Sequence, residues 1–311
     1  MTPSTLTIGT RRSALARAQS GQVAEALSAL TGRPVELVEI VTEGDRSDAP
    51  LTSFGGTGVF VSALRDALLE GRIDLAVHSL KDLPTAPAEG LVLAAVPQRQ
   101  DPRDCLVARD NLTVGELPAG STVGTGSPRR AAQLRALGMG LDVVPVRGNV
   151  DTRLRLVSEG TVDAVVLARA GLLRLGRADE ATEVLDPTQM LPAPGQGALA
   201  VECRADRADL LDALAPLDDD ATRAAVTAER SVLAALEAGC SAPVGALADV
   251  AEDGFSEPEL YLRAVVAAVD GSSSVRLSTT GSPIDADALG RALAQRMIEE
   301  GADGLMGERI P

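Results

Sequence analysis

Residues 6–32 read LTIGTRRSALARAQSGQVAEALSALTG, and this stretch decides the fold class. The short apolar run Leu6–Gly9 predicts a strand. Ser13 can cap a helix that continues to about Thr31, and Gly32 is typical of the residue just past a helix end. A strand followed directly by a helix predicts an α/β layer architecture.

The same alternation of strand and helix continues through the first two-thirds of the chain. Further strands are predicted at Val35–Val41, Ile73–His78, Leu91–Val96, Thr122–Gly124, Asp142–Val146, Asp163–Ala168 and Gly197–Cys203. Helices are predicted at Val59–Glu70, from Pro128 to Gly138 after the capping Ser127, and at about Asp151–Glu159. This order predicts two α/β lobes.

Two segments interrupt the alternation and predict crossings between the lobes, Asp101–Asp104 and Leu191–Gly197. From Asp220 the pattern changes to a helix running through Ala235, strands at Leu260–Val269 and Val275–Thr280, and a closing helix at Ala286–Glu300. The sequence therefore predicts a first lobe of residues 1–100 and 197–217, a second lobe of residues 101–196, and a small α+β domain of residues 218–311.

The composition excludes several classes of function. The net charge of −15 argues against bulk binding of nucleic acid or anionic membranes. No apolar run approaches the roughly 18 residues of a membrane span, and the first residues lack a signal-peptide pattern. Three widely spaced cysteines fit neither a disulfide framework nor a metal site. We therefore expect a cytoplasmic protein with free thiols, no metal and no nucleic-acid or membrane partner.

Arginines cluster where predicted strands pass into predicted helices. The loops Gly9–Ser13 and Gly124–Arg130 echo each other, and the free N–H groups of a helix start favour carboxylate or phosphate. Arginine holds carboxylates through two parallel hydrogen bonds. Solvated surface arginines are the alternative, but five at such loops in an acidic chain favour an anion site in a cleft between the lobes. The five are Arg11, Arg129, Arg130, Arg147 and Arg153.

Lys81 is the only lysine of the chain, and Asp82 follows it directly. Lysine is a compact donor that arginine does not replace where its geometry or pKa matters. A carboxylate beside it can stay ionised and stabilise a cation or pass on a proton. Pro84 predicts a loop in which both side chains face one cleft, although a plain surface turn is the alternative. His78, which ends an apolar strand, is better interpreted as a packed core residue.

Cys240 lies in a loop rich in glycine and proline just past a long predicted helix. A loop thiol can serve as a nucleophile or attachment point, but it can equally be inert. The segment Ser53–Gly58 is glycine-rich before a helix and lacks the phosphate-binding P-loop pattern, so it predicts a lid.

The chain resembles the porphobilinogen deaminase (hydroxymethylbilane synthase) family over nearly its whole length. The motifs that carry the resemblance are TRRSALA (10–16), VTEGD (41–45), FGGTGVFV (54–61), DLAVHSLKDLP (74–84), QDPRD (100–104), VGTGSPRR (123–130), VRGNVDTR (146–153), LPAPGQGA (191–198) and EAGCSAPVG (237–245). The resemblance implies two periplasmic-binding-protein-like lobes and a third domain whose cysteine carries a covalent dipyrromethane cofactor. It also implies head-to-tail condensation of four porphobilinogens with release of ammonia and then hydroxymethylbilane. We expect the protein to be a monomer.

The resemblance assigns roles to individual residues of this chain. It implies that Cys240 forms the thioether to the cofactor and that Asp82 is catalytic together with Lys81. Cofactor-binding residues implied are Lys81, Thr125, Ser127, Arg129 and Arg130. Substrate-binding residues implied are Arg11, Ser13, Gln19, Phe60, Ser79, Arg147, Arg153, Arg174 and Gln196. The chain departs from many relatives in the lid, where Ser53 and Thr57 stand in place of lysines.

Two other functions fit parts of the pattern. A two-lobed solute-binding protein would need the arginine loops but neither Cys240 nor Asp82, and would normally be secreted. A thiol-transfer protein would use Cys240, but no second cysteine or histidine lies near it in the sequence.

Overall fold

The structure is a computed structural model that describes residues 5–40, 58–239, 242–251 and 257–306, with residues 58–60 described by their backbone alone. Cys240 and most of the predicted lid lie outside the described residues. The chain forms two compact units. The first unit takes the described residues up to Gln100 together with Ala198–Arg223, and the second takes Asp101–Gly197 with the described residues from Ala224 onward.

The described strands form three sheets. In chain order they are β1 Leu6–Thr10, β2 Val35–Glu39, β3 Leu75–Ser79, β4 Leu91–Ala95, β5 Asp104–Ala108, β6 Thr122–Gly124, β7 Asp142–Val144, β8 Ala164–Ala168, β9 Glu183–Val184, β10 Leu199–Arg204, β11 Val244–Ala251, β12 Glu259–Ala267 and β13 Ser274–Gly281.

The described α-helices pack on these sheets. They are α1 Ala14–Thr31, α2 Gly58–Leu69, α3 Pro128–Ala136, α4 Val150–Ser158, α5 Arg169–Arg174, α6 Ala208–Leu214, α7 Asp220–Ala235 and α8 Ala286–Glu299. No described helix is both long and apolar enough to cross a membrane.

The first two sheets repeat one topology. Their strand orders are β2-β1-β3-β10-β4 and β7-β6-β8-β5-β9. In each, three strands run parallel and the fourth position holds a strand antiparallel to both neighbours, β10 or β5. The predicted return of the chain to the first lobe is confirmed, because β10 pairs Leu199 with Ser79. The predicted fold class of two α/β lobes and a small α+β domain is confirmed.

The loop between β1 and α1 folds as its sequence dictates. The Ser13 side chain accepts a hydrogen bond from the backbone N–H of Ala16 at 3.3 Å. Gly32 ends the helix with φ of 64°, in the left-handed region that favours glycine, and its N–H donates to the carbonyl of Ser28. Ser127 and Pro128 begin α3 in the predicted way, with the Ser127 hydroxyl accepting from the Arg130 N–H.

The C-terminal sheet β11-β12-β13 is antiparallel and packs on α7 and α8 around Val232, Leu262 and Leu293. Its strand β11 was not predicted, because the sequence after Cys240 indicated a loop through Gly245. The crossing predicted at Asp101–Asp104 is shorter than expected, since Asp104 is already the first residue of the buried strand β5. The predicted domain boundaries stay predictions.

Candidate active-site residues

Lys81 and Asp82 share one tight turn. It is a 3-10 helix over Leu80–Asp82, closed by a hydrogen bond from the Leu83 N–H to the Leu80 carbonyl. The two leucines are buried, whereas Lys81 and Asp82 are half-exposed. The buried leucines therefore anchor the turn at both ends and leave the two polar side chains on its accessible side.

The structure brings together two more of the residues predicted to bind substrate. The Gln19 side chain of α1 donates to the Ser79 hydroxyl at the end of β3, with an Nε2–Oγ distance of 2.8 Å. Ser79 comes two residues before Lys81. Arg11 and Ser13 lie in the loop between β1 and α1, and only the backbone of Phe60, in α2, is described.

A buried ionic group joins β3, β10 and α2 in the first unit. Glu202 of β10 accepts two hydrogen bonds from Arg65 of α2, at 3.0 and 2.7 Å. His78 Nε2 lies 3.2 Å from a Glu202 oxygen, and both side chains are buried. Burial alone would raise the pKa of Glu202, but His78 and Arg65 outweigh it and hold the pKa at about 2. The interpretation of His78 as a packed core residue is confirmed.

In the second unit, Asp104 binds two of the predicted cofactor arginines. It is fully buried at the start of β5. Arg129 Nη1 donates to one of its oxygens at 2.8 Å. The other oxygen accepts from Arg130 Nε and Nη2 at 3.0 and 2.8 Å and from Gln196 Nε2 at 2.8 Å. Both arginines are buried on the first turn of α3, so one carboxylate fixes their orientation.

Asp104 stays ionised because of these partners. Burial alone would raise its pKa, but the charges of Arg129 and Arg130 and the hydrogen bonds hold the pKa well below its usual range. Sequence reasoning missed Asp104, which it placed in the crossing between the lobes. An acidic residue directly before the apolar run Cys105–Ala108 was the available signal, since a charge at a buried strand end needs a partner.

The loop before α3 holds the remaining predicted groups of this region. The Thr125 hydroxyl accepts from the Ser127 N–H at 3.2 Å, and Thr125 is buried. A Cβ atom built on Gly126 would lie 3.8 Å from Arg153 Nη2, which places that guanidinium beside the loop. Arg147 is exposed.

Arg153 and Arg174 differ from Arg129 and Arg130 because no described carboxylate forms an ion pair with them. Their only hydrogen bonds among the described residues go to the carbonyl oxygens of Gly148 and Gly197, at 3.0 and 2.7 Å. Burial lowers the pKa of each guanidinium to about 10, and Arg130 contributes to the shift at Arg153. Each is a partly buried cation whose charge an anionic ligand would stabilise.

The two described cysteines do not suit a reactive role. Cys105 and Cys203 are buried, and burial raises the pKa of the Cys105 thiol to about 12. The described residues contain no group of three or more side chains arranged to hold a metal ion.

Known proteins match this chain over nearly its whole length. Residues 6–212 match the family model described as porphobilinogen deaminase, dipyromethane cofactor binding domain, and residues 223–299 match the porphobilinogen deaminase C-terminal domain. Porphobilinogen deaminase 1 of Streptomyces coelicolor is 63% identical over 317 residues, covering 99% of each chain. Porphobilinogen deaminase of Mycobacterium avium is 60% identical over 303 residues, covering 96% of each chain.

Likeness to solved structures is more distant. An ancestral cationic amino acid solute-binding protein aligns with a TM-score of 0.43 and 18% identity, over 68% of this chain and 87% of the other. The family assignment therefore rests on the sequence matches, which cover both units and name the dipyrromethane cofactor. The chain belongs to the porphobilinogen deaminase family of transferases, the hydroxymethylbilane synthases.

Proposed function

We propose that the protein joins four porphobilinogens head to tail and then releases linear hydroxymethylbilane by hydrolysis. In each condensation the C–N bond of the aminomethyl group breaks and ammonia leaves. A C–C bond forms to the free α-carbon of the acceptor pyrrole, which loses one proton. In the last step the C–C bond between the acceptor ring and the first added pyrrole breaks. Water supplies the hydroxyl group to the methylene carbon of the released chain and a proton to the α-carbon of the acceptor ring.

The observation that best supports this proposal is the state of Arg153 and Arg174. Both guanidiniums are partly buried with no described carboxylate partner. Each pyrrole of porphobilinogen and of dipyrromethane carries an acetate and a propionate, so the ligand supplies the anions that these cations lack. Arginine pairs with carboxylates through two hydrogen bonds, which fixes orientation as well as charge.

The described residues also fit the dipyrromethane cofactor. We propose that Lys81, Thr125, Ser127, Arg129 and Arg130 hold its carboxylates. Asp104 sets one negative charge against the two positive charges of Arg129 and Arg130, and Arg153 adds a further positive charge near Arg130. When bound, the cofactor supplies a tethered acceptor ring for the growing chain. The proposed thioether is to Cys240, and the burial of Cys105 and Cys203 supports that choice among the three cysteines.

We assign the acid–base work to Asp82. Loss of ammonia leaves a positive charge on the substrate pyrrole, and a nearby carboxylate stabilises that charge and accepts the proton lost afterwards. The half-exposed side chain of Asp82, on a turn anchored by buried leucines, is suited to approach a ligand. The remaining substrate contacts proposed are Arg11, Ser13, Gln19, Phe60, Ser79, Arg147 and Gln196.

The proposal also includes a monomeric protein in the cytoplasm. Its test is incubation of the purified protein with porphobilinogen, followed by measurement of ammonia and of the linear product. We expect four ammonias for each hydroxymethylbilane. Binding of porphobilinogen without ammonia release would instead support a protein that only clamps its ligand.

A further inference from the structure

The short segment Leu191–Gly197 contacts the predicted binding arginines of the second unit. Arg129 Nη1 donates to the carbonyl oxygen of Leu191 at 2.5 Å. Arg174 Nη2 donates to the carbonyl oxygen of Gly197 at 2.7 Å. We call these seven residues the junction segment. Because these carbonyl oxygens accept from Arg129 and Arg174, the position of the junction segment determines where the two guanidinium groups lie.

The junction segment also contributes a side chain to the Asp104 group. Gln196 is 1% exposed, and its amide donates to Asp104 and to the carbonyl oxygen of Pro102, both at 2.8 Å. Its amide oxygen accepts from Arg130 Nη2 at 3.4 Å. Displacement of the segment would therefore disturb Arg130 as well.

The other side of the junction segment is held by the C-terminal sheet and its helix. The Ala246 N–H of β11 donates to the Pro192 carbonyl at 3.0 Å. The carboxylate of Glu229, on α7, accepts from the Gly195 N–H at 2.6 Å and from the Ala248 N–H at 2.8 Å. One side chain thus joins the segment to the strand β11.

Glu229 is fully buried, so its carboxylate is costly unless hydrogen bonds compensate for lost water. Bonds from N–H groups to a carboxylate are charge-assisted and stronger than neutral ones. Gly195 adopts φ of 75°, a left-handed conformation that glycine takes at little cost. The buried carboxylate of Glu229 and the left-handed conformation of Gly195 therefore both stabilise the hydrogen bond between these two residues.

We propose that Glu229 is a positioning residue for anion binding: it fixes the junction segment on the C-terminal sheet and thereby places Arg129, Arg130 and Arg174. The inference rests on the proposed function for its kinetic readout. The inference gives the C-terminal domain a second role. Besides the proposed attachment of the cofactor, this domain holds the arginines of the second lobe in the positions in which they bind carboxylates.

The test uses Glu229→Gln, with Asp287→Asn as the matched control. The glutamine oxygen can accept from only one of the two N–H groups, whereas Asp287 bonds Ser231 and Arg291 at an exposed site of the same domain. We expect amide hydrogen exchange at Gly195 or Ala248 to become at least about tenfold faster in Glu229→Gln, as expected for a lost charge-assisted bond. The control should leave both amides unchanged.

Kinetics with porphobilinogen complete the test. We expect kcat/KM of Glu229→Gln to fall at least about tenfold, mainly through KM, because ligand binding is weakened. Unchanged exchange at both amides, or faster exchange with wild-type kcat and KM, would overturn the inference. If Glu229→Gln does not fold, Glu229→Asp takes its place, since it keeps the charge but shortens the side chain by one methylene. Amide exchange at Gly195 and Ala248 and kcat/KM are then compared with the wild type, and the same outcomes support or overturn the inference.

A failure of the proposed function is distinguishable from a failure of this inference. If the wild-type protein releases no ammonia, the proposed function is wrong. The exchange measurement needs no turnover, and calorimetry with porphobilinogen then replaces kinetics. Equal affinity of wild-type and Glu229→Gln protein would still refute the positioning role.

Discussion

Asp82 is the residue on which the proposed chemistry depends most. Asp82→Asn keeps the shape of the side chain but removes its charge and its capacity to take a proton. Acid–base assistance typically contributes about 10²–10⁴-fold, so we expect turnover to fall at least a hundredfold while substrate still binds. Single-turnover release of ammonia from cofactor-loaded protein measures this directly.

Two neighbouring variants control that experiment. Asp82→Glu should keep slight activity, since the charge remains but moves by one methylene. Lys81→Arg keeps the positive charge and loses the compact ammonium. Normal ammonia release by Asp82→Asn would refute the role of the carboxylate, and normal release by Lys81→Arg would make the single lysine a coincidence.

Arg153 should show opposite effects on function and on stability. Removing a charge-assisted bond to a ligand carboxylate costs about 1.5–3 kcal/mol, so Arg153→Leu should lower kcat/KM at least tenfold. The same change removes a partly buried cation that no described carboxylate pairs with. The free energy of unfolding should therefore stay equal or rise.

Arg155 provides the matched control, because it lies on the same helix and is exposed. Arg155→Leu should leave kcat/KM near the wild-type value. The comparison needs steady-state kinetics and urea unfolding of both variants. A loss of stability in Arg153→Leu together with unchanged kinetics would show a structural role only.

Between elements, Glu202 forms a buried ionic contact in the first unit. It joins α2, β3 and β10 through Arg65 and His78. Its pKa is lowered from 4.5 to about 2, so the contribution is complete above about pH 4.5 and is lost as the pH falls through 2. Two and a half pKa units correspond to about 3 kcal/mol.

We therefore expect Glu202→Gln to lower the free energy of unfolding at pH 7 by about 3 kcal/mol and to flatten its decline between pH 4.5 and 2. Denaturant unfolding at several pH values measures both effects. Glu70→Gln is the control, since Glu70 pairs with Arg72 at an exposed site and such pairs contribute little. Equal pH profiles for wild type and Glu202→Gln would contradict the assignment.

Helix ends with local signals were predicted correctly, whereas some strands that depend on distant contacts were missed. Ser13, Gly32 and Ser127 end or begin helices through bonds to residues within four positions, so the sequence alone reveals them. The strand β5 is buried along its whole length and therefore lacks the polar alternation of a half-exposed strand. The two residues of β9 are too few to show any period.

The same distinction applies to the candidate site. Lys81 and Asp82 are neighbours in sequence, and their turn was predicted from Pro84. Asp104 and Glu229 gain their importance from partners far away in the chain, such as Arg129 and Gly195. Side chains so far apart in the sequence meet only when the chain is packed. Residue types and local spacing therefore do not predict these pairs.

For the molecule as a whole, the covalent state is the most informative property. We expect purified protein to carry an adduct of about two condensed pyrroles on Cys240, because chain growth needs a tethered acceptor. Cys240→Ser should lose both the adduct and the activity. Intact mass and peptide mapping measure the adduct.

Cys105→Ser and Cys203→Ser are the controls, because both thiols are buried. Both should keep the adduct. Active protein with Cys240 unmodified would refute the proposed attachment.

The position of β10 has a consequence for how the chain folds during its synthesis. Among the described strands of the first sheet, β4 pairs with β10 alone, and β10 also pairs with β3. A ribosome delivers β10 only after all of β5–β9, so a nascent first lobe has an unfilled slot beside β3 while the second sheet is already complete. Of the two lobes, the one that is begun first is therefore expected to be completed second. Its open strand edges are those that a chaperone would protect.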